Sequence, residues 1–175
     1  EVGLNLLKEH FEVDMYDGEG LIDKETLKKG VEHADALISL LSTSVDKDII
    51  DSANNLKIIA NYGAGFNNID VEYARQQNID VTNTPHASTN ATADLTIGLI
   101  LSVARRIVEG DHLSRTTGFD GWAPLFFRGR EVSGKTIGII GLGEIGGAVA
   151  KRARAFDMDV LYTGPHRKEE KERDI

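Results

Sequence analysis

The glycine pattern "GLGEIG", from Gly141 to Gly146, constrains the fold of this chain more than any other feature. It follows an apolar stretch, Thr136–Ile140, that predicts a strand, and it opens a predicted helix, Glu144–Phe156; a second strand is predicted at Asp159–Thr163. The first glycine permits a tight turn, the second lets the backbone approach a pyrophosphate, and the third lets the helix pack closely on the strand. This order of elements favours dinucleotide binding over a glycine-rich turn without a ligand.

The helix that follows the glycine turn supplies free N–H groups and the positive end of its dipole to an anion. The cofactor contacts predicted here are Gly141, Gly143 and Gly146. Glu144 is awkward at this place because its carboxylate would repel a pyrophosphate. We therefore expect its backbone N–H, rather than its side chain, to face the cofactor.

The end of the second predicted strand lacks the acidic residue that normally hydrogen-bonds the ribose of NAD. Glycine stands there, which removes the repulsion of a 2′-phosphate, and the cations that follow can bind a phosphate. We therefore predict a preference for NADP(H), with NAD(H) still possible. The alternative is that the run "HRKEEKERD" is only a solvated charged segment. The predicted contacts are Gly164, Pro165, His166, Arg167 and Lys168.

Composition narrows the classes of function. The chain has 28 acidic and 20 basic residues and a net charge of −8, which disfavours a nucleic-acid or anionic membrane surface. The absence of cysteine excludes disulfides, thiol nucleophiles and thiolate metal sites within these residues, and fits a reducing cytoplasm. The longest apolar stretch, near Leu95–Val108, is too short and too polar to span a bilayer. We expect a cytoplasmic protein with no metal, nucleic-acid or membrane partner.

The first ninety residues alternate between strand-like and helix-like segments. Strands are predicted at Phe11–Tyr16, Ala36–Leu41, Leu56–Ala60 and Ile79–Thr82, and helices at Val2–His10, Asp23–His33, Val45–Ala53 and Asp70–Gln77. Asp23 and Asp70 are predicted N-caps. This alternation predicts α/β architecture with a mostly parallel sheet. Because a doubly wound sheet is built around its first strand, we expect one strand to precede Glu1.

Ser88–Glu109 is predicted to form one helix, apolar on nearly all sides and therefore buried on several of them. Gly110–Glu131 lacks periodicity, which suggests a functional arm or an interface. The predicted organisation is two doubly wound parallel-sheet domains, both incomplete. Residues 1–90 form a flavodoxin-like substrate domain, 91–132 an interdomain helix and dimerisation arm, and 133–175 the first βαβ unit of a Rossmann domain.

A second small-residue loop, "NYGAGFNNID", follows the strand predicted at Leu56–Ala60. The carboxyl ends of such strands are where open α/β sheets bind ligands. Ala64 and Gly65 could form a small anion-binding nest of backbone N–H groups. On these residues alone, an ordinary strand–helix loop is an equally good interpretation.

Taken together, these segments resemble the D-isomer-specific 2-hydroxyacid dehydrogenases. The resemblance covers essentially the whole chain, through "NYGAGFNNIDV", "VTNTP", "TADLTIGLILSVARR", a W-x-P motif and "GKTIGIIGLGEIGGAVAKRARAFDM". The segments "WAPLFF" and "LYTGPHRK" are most similar to the glyoxylate/hydroxypyruvate reductase and 2-ketogluconate reductase branch. The resemblance implies homodimers that reduce a small 2-keto acid with a nicotinamide cofactor.

The resemblance also implies roles for individual residues. It assigns the backbone of Ala64 and Gly65 to the substrate carboxylate. It matches Trp122 to an arm tryptophan that reaches the neighbouring subunit's active site in some relatives, although an aromatic anchor of the dimer interface is as good an interpretation. Around the cofactor it places Thr92, in the interdomain cleft, and the turn residues Gly143, Glu144 and Ile145.

The family's catalytic arginine, glutamate and histidine are all expected beyond Ile175. The five histidines of this chain fit no matching motif, and His86 is the least certain of them. We therefore place no catalytic residue in the chain and expect it to be inactive alone. A dinucleotide-sensing binding protein, like the corepressors on the same scaffold, is the alternative function. Another Rossmann dehydrogenase, such as one acting on amino acids, is disfavoured by the "NTP", "TADL" and "ARR" segments.

Overall fold

The computed structural model describes residues 2–173, and its contacts divide the chain into two compact units. The first unit ends at Pro85 and the second begins at His86. Strands and helices alternate in both units and the strands pair in parallel, so the predicted α/β class is confirmed. Within residues 2–173, no helix combines the length and the apolar character needed to cross a membrane.

The first unit contains a three-stranded parallel sheet, helices that precede it and helices that connect its strands. The strands lie in the order β1 (Ala36–Leu40), β2 (Ile58–Tyr62) and β3 (Asp80–Thr82). The helices are α1 (Val2–His10), α2 (Lys24–Val31), α3 (Lys47–Asp51) and α4 (Val71–Gln76). In the register of the sheet, Ile38 lies opposite Ala60, and Ala60 lies opposite Thr82.

Helices α2, α3 and α4 each begin at an aspartate whose carboxylate accepts a hydrogen bond from the N–H three residues later. These caps are Asp23, Asp46 and Asp70, so the two predicted caps are confirmed. Each cap satisfies an otherwise unpaired N–H and contributes about 1 kcal/mol.

Branched aliphatic side chains fill the core of the first unit. Val31, Val45, Ile49 and Ile59 are each no more than 1% exposed. Burial of a side chain of this size stabilises the fold by about 1.5–3 kcal/mol. This core fixes the end of β2, and with it the loop that follows.

Several predicted elements of the first unit differ from the structure, and helix α2 ends at Val31, two residues before the predicted His33. The strand predicted at Phe11–Tyr16 is wrong, because no described residue pairs with this segment and a strand requires a neighbour. The helix predicted at Val45–Ala53 shortens to α3, since Val45 instead forms a parallel bridge with Ile69. Strand β2 begins two residues later than the predicted Leu56–Ala60.

The second unit contains a parallel pair of strands and the helices around it. The strands are β4 (Thr136–Ile140) and β5 (Asp159–Thr163), at the predicted bounds. The helices are α5 (Thr89–Ala104), α6 (Ile107–Arg115), α7 (Glu144–Arg154) and α8 (Glu169–Glu172). Helix α7 ends two residues before the predicted Phe156.

The single helix predicted over Ser88–Glu109 is wrong, because the chain breaks into α5 and α6 at Arg106. This residue has a φ of 57°, a left-handed conformation that a non-glycine residue rarely adopts. Its guanidinium donates to Glu109, with Nη2 and Oε2 2.5 Å apart, and lies 4.2 Å from the ring centre of Phe127. Helix α6 also gives regular structure to the start of Gly110–Glu131, where none was predicted.

The apolar surface of α5 is open, contrary to the expected burial on several sides. Leu95, Leu99 and Val103 are more than half exposed, whereas Ala93 is fully buried. The helix packs against α7 on the side of Ala93. We call the surface formed by Leu95, Leu99 and Val103 the α5 face.

Candidate dinucleotide site and substrate loop

The glycine turn between β4 and α7 has the geometry that the sequence pattern predicts. Gly141 has a φ of 93°, a conformation suited to glycine, and its N–H donates to the Thr163 carbonyl oxygen at 2.8 Å. A Cβ on Gly146 would overlap the Gly141 carbonyl oxygen and would lie 3.2 Å from Cγ2 of Ile139. The third glycine therefore permits the close approach of helix to strand.

Gly143 is the N-cap of α7 and has extended backbone, with φ −80° and ψ −156°. A Cβ at this position would meet no atom within 4 Å, so the backbone here borders open space. Within residues 2–173, no acceptor takes the backbone N–H groups of Gly143, Glu144, Ile145 or Gly146. Four aligned donors at a helix N-terminus can hold a phosphate group.

Hydrophobic packing between the helices holds the glycine turn in place. Leu142, within the turn, is 3% exposed and belongs to one buried cluster with Ala93 of α5 and Val149 of α7. Thr92 precedes Ala93 in α5, the helix that packs beneath the turn, and its side chain is half-buried. Arg152 ties the two helices together, with Nε donating to Asp94 at 2.6 Å.

The Glu144 carboxylate is held by Lys171 of α8, with Nζ and Oε1 2.6 Å apart. His86 Nδ1 lies 3.8 Å from the other carboxylate oxygen. The hydrogen bond and charge of Lys171 lower the pKa of Glu144 from its ordinary value. The carboxylate that would repel a pyrophosphate is thus paired with a cation, which the sequence did not predict.

The segment after β5 brings the predicted phosphate ligands to the surface. Gly164 is exposed, and a Cβ placed on it would meet nothing closer than the His166 carbonyl oxygen at 4.0 Å. Pro165, His166 and Lys168 are exposed as well. The backbone at Gly164 therefore borders open space.

Arg167, however, is engaged with a carboxylate of α8. Its Nε donates to Glu172 Oε1 at 2.9 Å, and its Nη2 donates to Oε2 at 2.7 Å. Tyr162 Oη donates to Glu172 Oε1 at 2.5 Å and accepts from the Lys168 N–H at 2.9 Å. The hydrogen bonds from Arg167 and then Tyr162 lower the pKa of Glu172 to about 2.

The loop after β2 is built on buried asparagine. Asn61 is 2% exposed; its Oδ1 accepts from Ser39 Oγ at 2.9 Å, and its Nδ2 donates to the Gly65 carbonyl oxygen at 2.8 Å. Asn83, after β3, donates to the Ala64 carbonyl oxygen at 2.8 Å. These bonds occupy the carbonyl groups of the loop.

The amide groups of the same loop are left available. In the described part of the chain, no acceptor takes the N–H of Ala64 or of Gly65, and both residues are exposed. Two adjacent free N–H groups at the carboxyl end of a parallel strand can bind a carboxylate. Trp122, the third predicted substrate residue, is 85% exposed in the irregular segment after α6.

Sequence reasoning missed several residues that shape these sites. Asn61 could have been found from the sequence, because it is a polar residue in an apolar strand and a buried polar side chain needs hydrogen-bond partners. Nothing in the sequence singles out Lys171 and Glu172, because they lie within a run of mixed charges. Among residues 2–173, no cluster of three or more histidines and carboxylates could hold a metal ion.

A parallel strand–helix–strand unit whose helix opens on this glycine turn is the arrangement of a dinucleotide-binding fold. The model of the D-isomer specific 2-hydroxyacid dehydrogenase catalytic domain matches residues 1–165. The chain belongs to this family.

Known relatives agree with this assignment. A protein of Staphylococcus epidermidis, named provisionally as a 2-hydroxyacid dehydrogenase, is 99% identical over 175 residues, which make up 55% of its length. The chain therefore spans about half of that relative. The crystal structure of the TT0316 protein from Thermus thermophilus has a TM-score of 0.90 at 42% identity, covering 96% of this chain and 54% of that one. An acyclic imino acid reductase in complex with NADPH and D-Arg has a TM-score of 0.83 at 28% identity, with coverages of 96% and 53%.

Proposed function

We propose that the full-length protein is an oxidoreductase that reduces a small 2-keto acid to the D-2-hydroxy acid with hydride from NADPH. The observation that carries this proposal is the glycine turn, with its four free N–H groups at the start of α7. A dinucleotide pyrophosphate is the ligand that such a turn fits best. Membership of the dehydrogenase family supplies the type of reaction.

For the substrate, we propose a glyoxylate, hydroxypyruvate or 2-ketogluconate type of acid. The N–H groups of Ala64 and Gly65 would bind its carboxylate, while Asn61 and Asn83 hold the loop by its carbonyl groups. Trp122 would border the same substrate in an assembled dimer. The catalytic arginine, glutamate and histidine would come from the remainder of the protein.

For the cofactor, we propose a preference for NADP(H) over NAD(H). The support is the open space beside Gly164 together with the cations His166, Arg167 and Lys168. The reductase seen in complex with NADPH is a relative of this fold. The pairing of Arg167 with Glu172 limits the positive charge that a 2′-phosphate would meet.

We also propose that the protein is a cytoplasmic homodimer. The α5 face exposes three large apolar side chains, and elsewhere in the second unit exposed Phe119 and Phe126 stack with their ring centres 5.9 Å apart. Surfaces of this kind are often covered by a partner. A second copy of the protein is the proposed partner.

The test of the activity is a steady-state assay of the full-length protein with NADPH or NADH and a panel of small 2-keto acids. We expect loss of the reduced-nicotinamide absorbance, with NADPH the better donor. Tight dinucleotide binding without turnover of any keto acid would contradict the proposal and favour the dinucleotide-sensing alternative.

The test of the cofactor preference is Arg167→Ala, with Arg154→Ala as the control. Arg154 is exposed in the last turn of α7, at the opposite end from the glycine turn. We expect Arg167→Ala to lower the NADPH-to-NADH ratio of kcat/KM by about fivefold or more, as expected for the loss of a charged phosphate contact. An unchanged ratio would exclude Arg167 as the phosphate ligand.

A further inference from the structure

The guanidinium of Arg167 faces carboxylates on both of its sides. Glu172 takes the Nε and Nη2 donors, at 2.9 Å and 2.7 Å, and Glu169 Oε1 lies 3.6 Å from Nη1. The Nε–Nη2 donor fork is therefore already occupied by a carboxylate, in the bidentate geometry that also suits a phosphate. A 2′-phosphate can take this fork only if Glu172 gives it up.

Glu172 is the better anchored member of this pair. Its Oε1 accepts from Tyr162 Oη, and Tyr162 packs against the buried cluster of the second unit. The Glu172 side chain is 28% exposed, whereas that of Arg167 is 70% exposed. Binding of a phosphate at this fork therefore requires the arginine to swing away from the better anchored carboxylate.

After such an exchange, the Glu172 carboxylate would remain close to the bound phosphate with no guanidinium between them. A phosphate monoester carries about −1.5 to −2 charges at neutral pH, so the two groups would repel each other. A cofactor without the 2′-phosphate avoids both the exchange and the repulsion. The same carboxylate thus penalises NADP and leaves NAD unaffected.

We propose that Glu172 is a specificity-determining residue, a counter-ion that competes with the 2′-phosphate for Arg167 and limits the preference for NADP over NAD. This inference rests on the proposed dinucleotide site, and it deepens the proposed cofactor choice. Under this proposal, helix α8 sets the relative affinity of the protein for NADP and NAD.

The experiment measures the affinity of the full-length protein for adenosine 2′,5′-bisphosphate and for adenosine 5′-diphosphate by calorimetry. These probes differ in where the second phosphate lies, and neither requires turnover. In Glu172→Gln, the amide oxygen can still accept from Tyr162 but the charge is gone. We expect the bisphosphate to bind about fivefold tighter than to the wild type, the upper range for release of one exposed ion pair, with the diphosphate unchanged.

Glu170→Gln is the matched control, since it removes one charge from the same short helix at an exposed residue for which the described chain shows no ion pair. We expect this control to leave the affinity ratio unchanged. An equal gain in Glu170→Gln would reduce the effect to general electrostatics and overturn the inference. Unchanged or weaker bisphosphate binding in Glu172→Gln would overturn it as well, the latter by showing that Glu172 orients Arg167 for the phosphate.

The wild-type ratio separates this inference from the cofactor proposal. If the wild type does not prefer the bisphosphate but Glu172→Gln does, the proposed NADP preference fails and the inference stands. If neither protein discriminates between the two probes, both fail.

Discussion

Gly146 and Gly143 offer a matched pair of substitutions, because the same added methyl group meets backbone at one position and open space at the other. In Gly146→Ala, the new Cβ would overlap the Gly141 carbonyl oxygen and would lie 3.2 Å from both the carbonyl carbon of Gly141 and Cγ2 of Ile139. None of these atoms is the end of a flexible side chain. Helix α7 must therefore move away from β4.

The magnitude follows from two opposing terms. Overpacking of this kind costs about 1–3 kcal/mol, while alanine is favoured over glycine within a helix by about 1 kcal/mol. We expect Gly146→Ala to lower the free energy of unfolding by up to about 2 kcal/mol. In Gly143→Ala, alanine can adopt φ −80° and ψ −156°, so the loss of stability should be limited to the poorer N-cap preference of alanine, about 1 kcal/mol or less.

Gly143→Ala should weaken NADPH binding more directly than Gly146→Ala does, which is the reverse of their order of effects on stability. A methyl group on Gly143 would stand in the space that a pyrophosphate must enter, and we expect the Kd for NADPH to rise about tenfold or more, a loss of about 1.4 kcal/mol. In Gly146→Ala, affinity should fall as well, but only together with the packing of α7.

The assay combines urea unfolding of the full-length protein, amide hydrogen exchange of α7, and calorimetric titration with NADPH. Gly143→Ala should retain wild-type exchange protection while losing affinity, and Gly146→Ala should lose protection. Equal losses of protection in both variants would refute the distinction between a turn that packs and a turn that binds.

Three further outcomes follow from the same structure. Gly164→Asp should fold normally, because a Cβ there has room, and should reverse the NADPH-to-NADH ratio of kcat/KM, since a carboxylate repels a 2′-phosphate and accepts from ribose hydroxyls; a retained NADPH preference would contradict the placement of the ribose site. Asn61→Ala should destabilise the protein by about 1–3 kcal/mol, because it leaves buried Ser39 without a partner, and should raise the KM for the keto acid; denaturant melts and steady-state kinetics check both. The Glu172 carboxyl should titrate near pH 2 in an NMR experiment and return toward its ordinary pKa in Arg167→Ala; because the folded-state pKa is lowered, the stability from this pair is present above the unfolded-state pKa and is lost as pH falls toward 2.

The sequence predicted best those features that depend on local rules. Asp23 and Asp70 were predicted as caps because a short side-chain oxygen before a helix can reach a free N–H three residues on. The bounds of β4 and β5 were predicted because apolar runs end where glycines begin. The small residues of the loop after β2 are visible in the sequence, whereas its support by buried Asn61 was not predicted.

The failures have a common physical cause, which is that tertiary contacts decided the local conformation. The apolar pattern of Ser88–Glu109 continues through Arg106, so nothing in the sequence marks the break. In the structure, left-handed Arg106 contacts Glu109 at the end of this segment and Phe127 beyond it, and the apolar pattern predicts neither contact. Phe11–Tyr16 has the alternation of a strand, but alternation gives no information about whether a neighbouring strand exists.

The region after β5 shows why a charge run is hard to interpret from sequence. An acid is missing at Gly164, and the cations beyond it favoured a phosphate site. In the structure, helix α8 places the Glu172 carboxylate near Gly164, where it pairs with Arg167. The adjacent Lys171 pairs with Glu144 at the glycine turn. Two neighbouring residues of one short helix thus set the charge at both ends of the proposed dinucleotide site. If the proposed dinucleotide site is correct, the missing acid at the strand end removes a barrier to NADP, and we expect the strength of the proposed preference to depend on how firmly α8 holds the arginine.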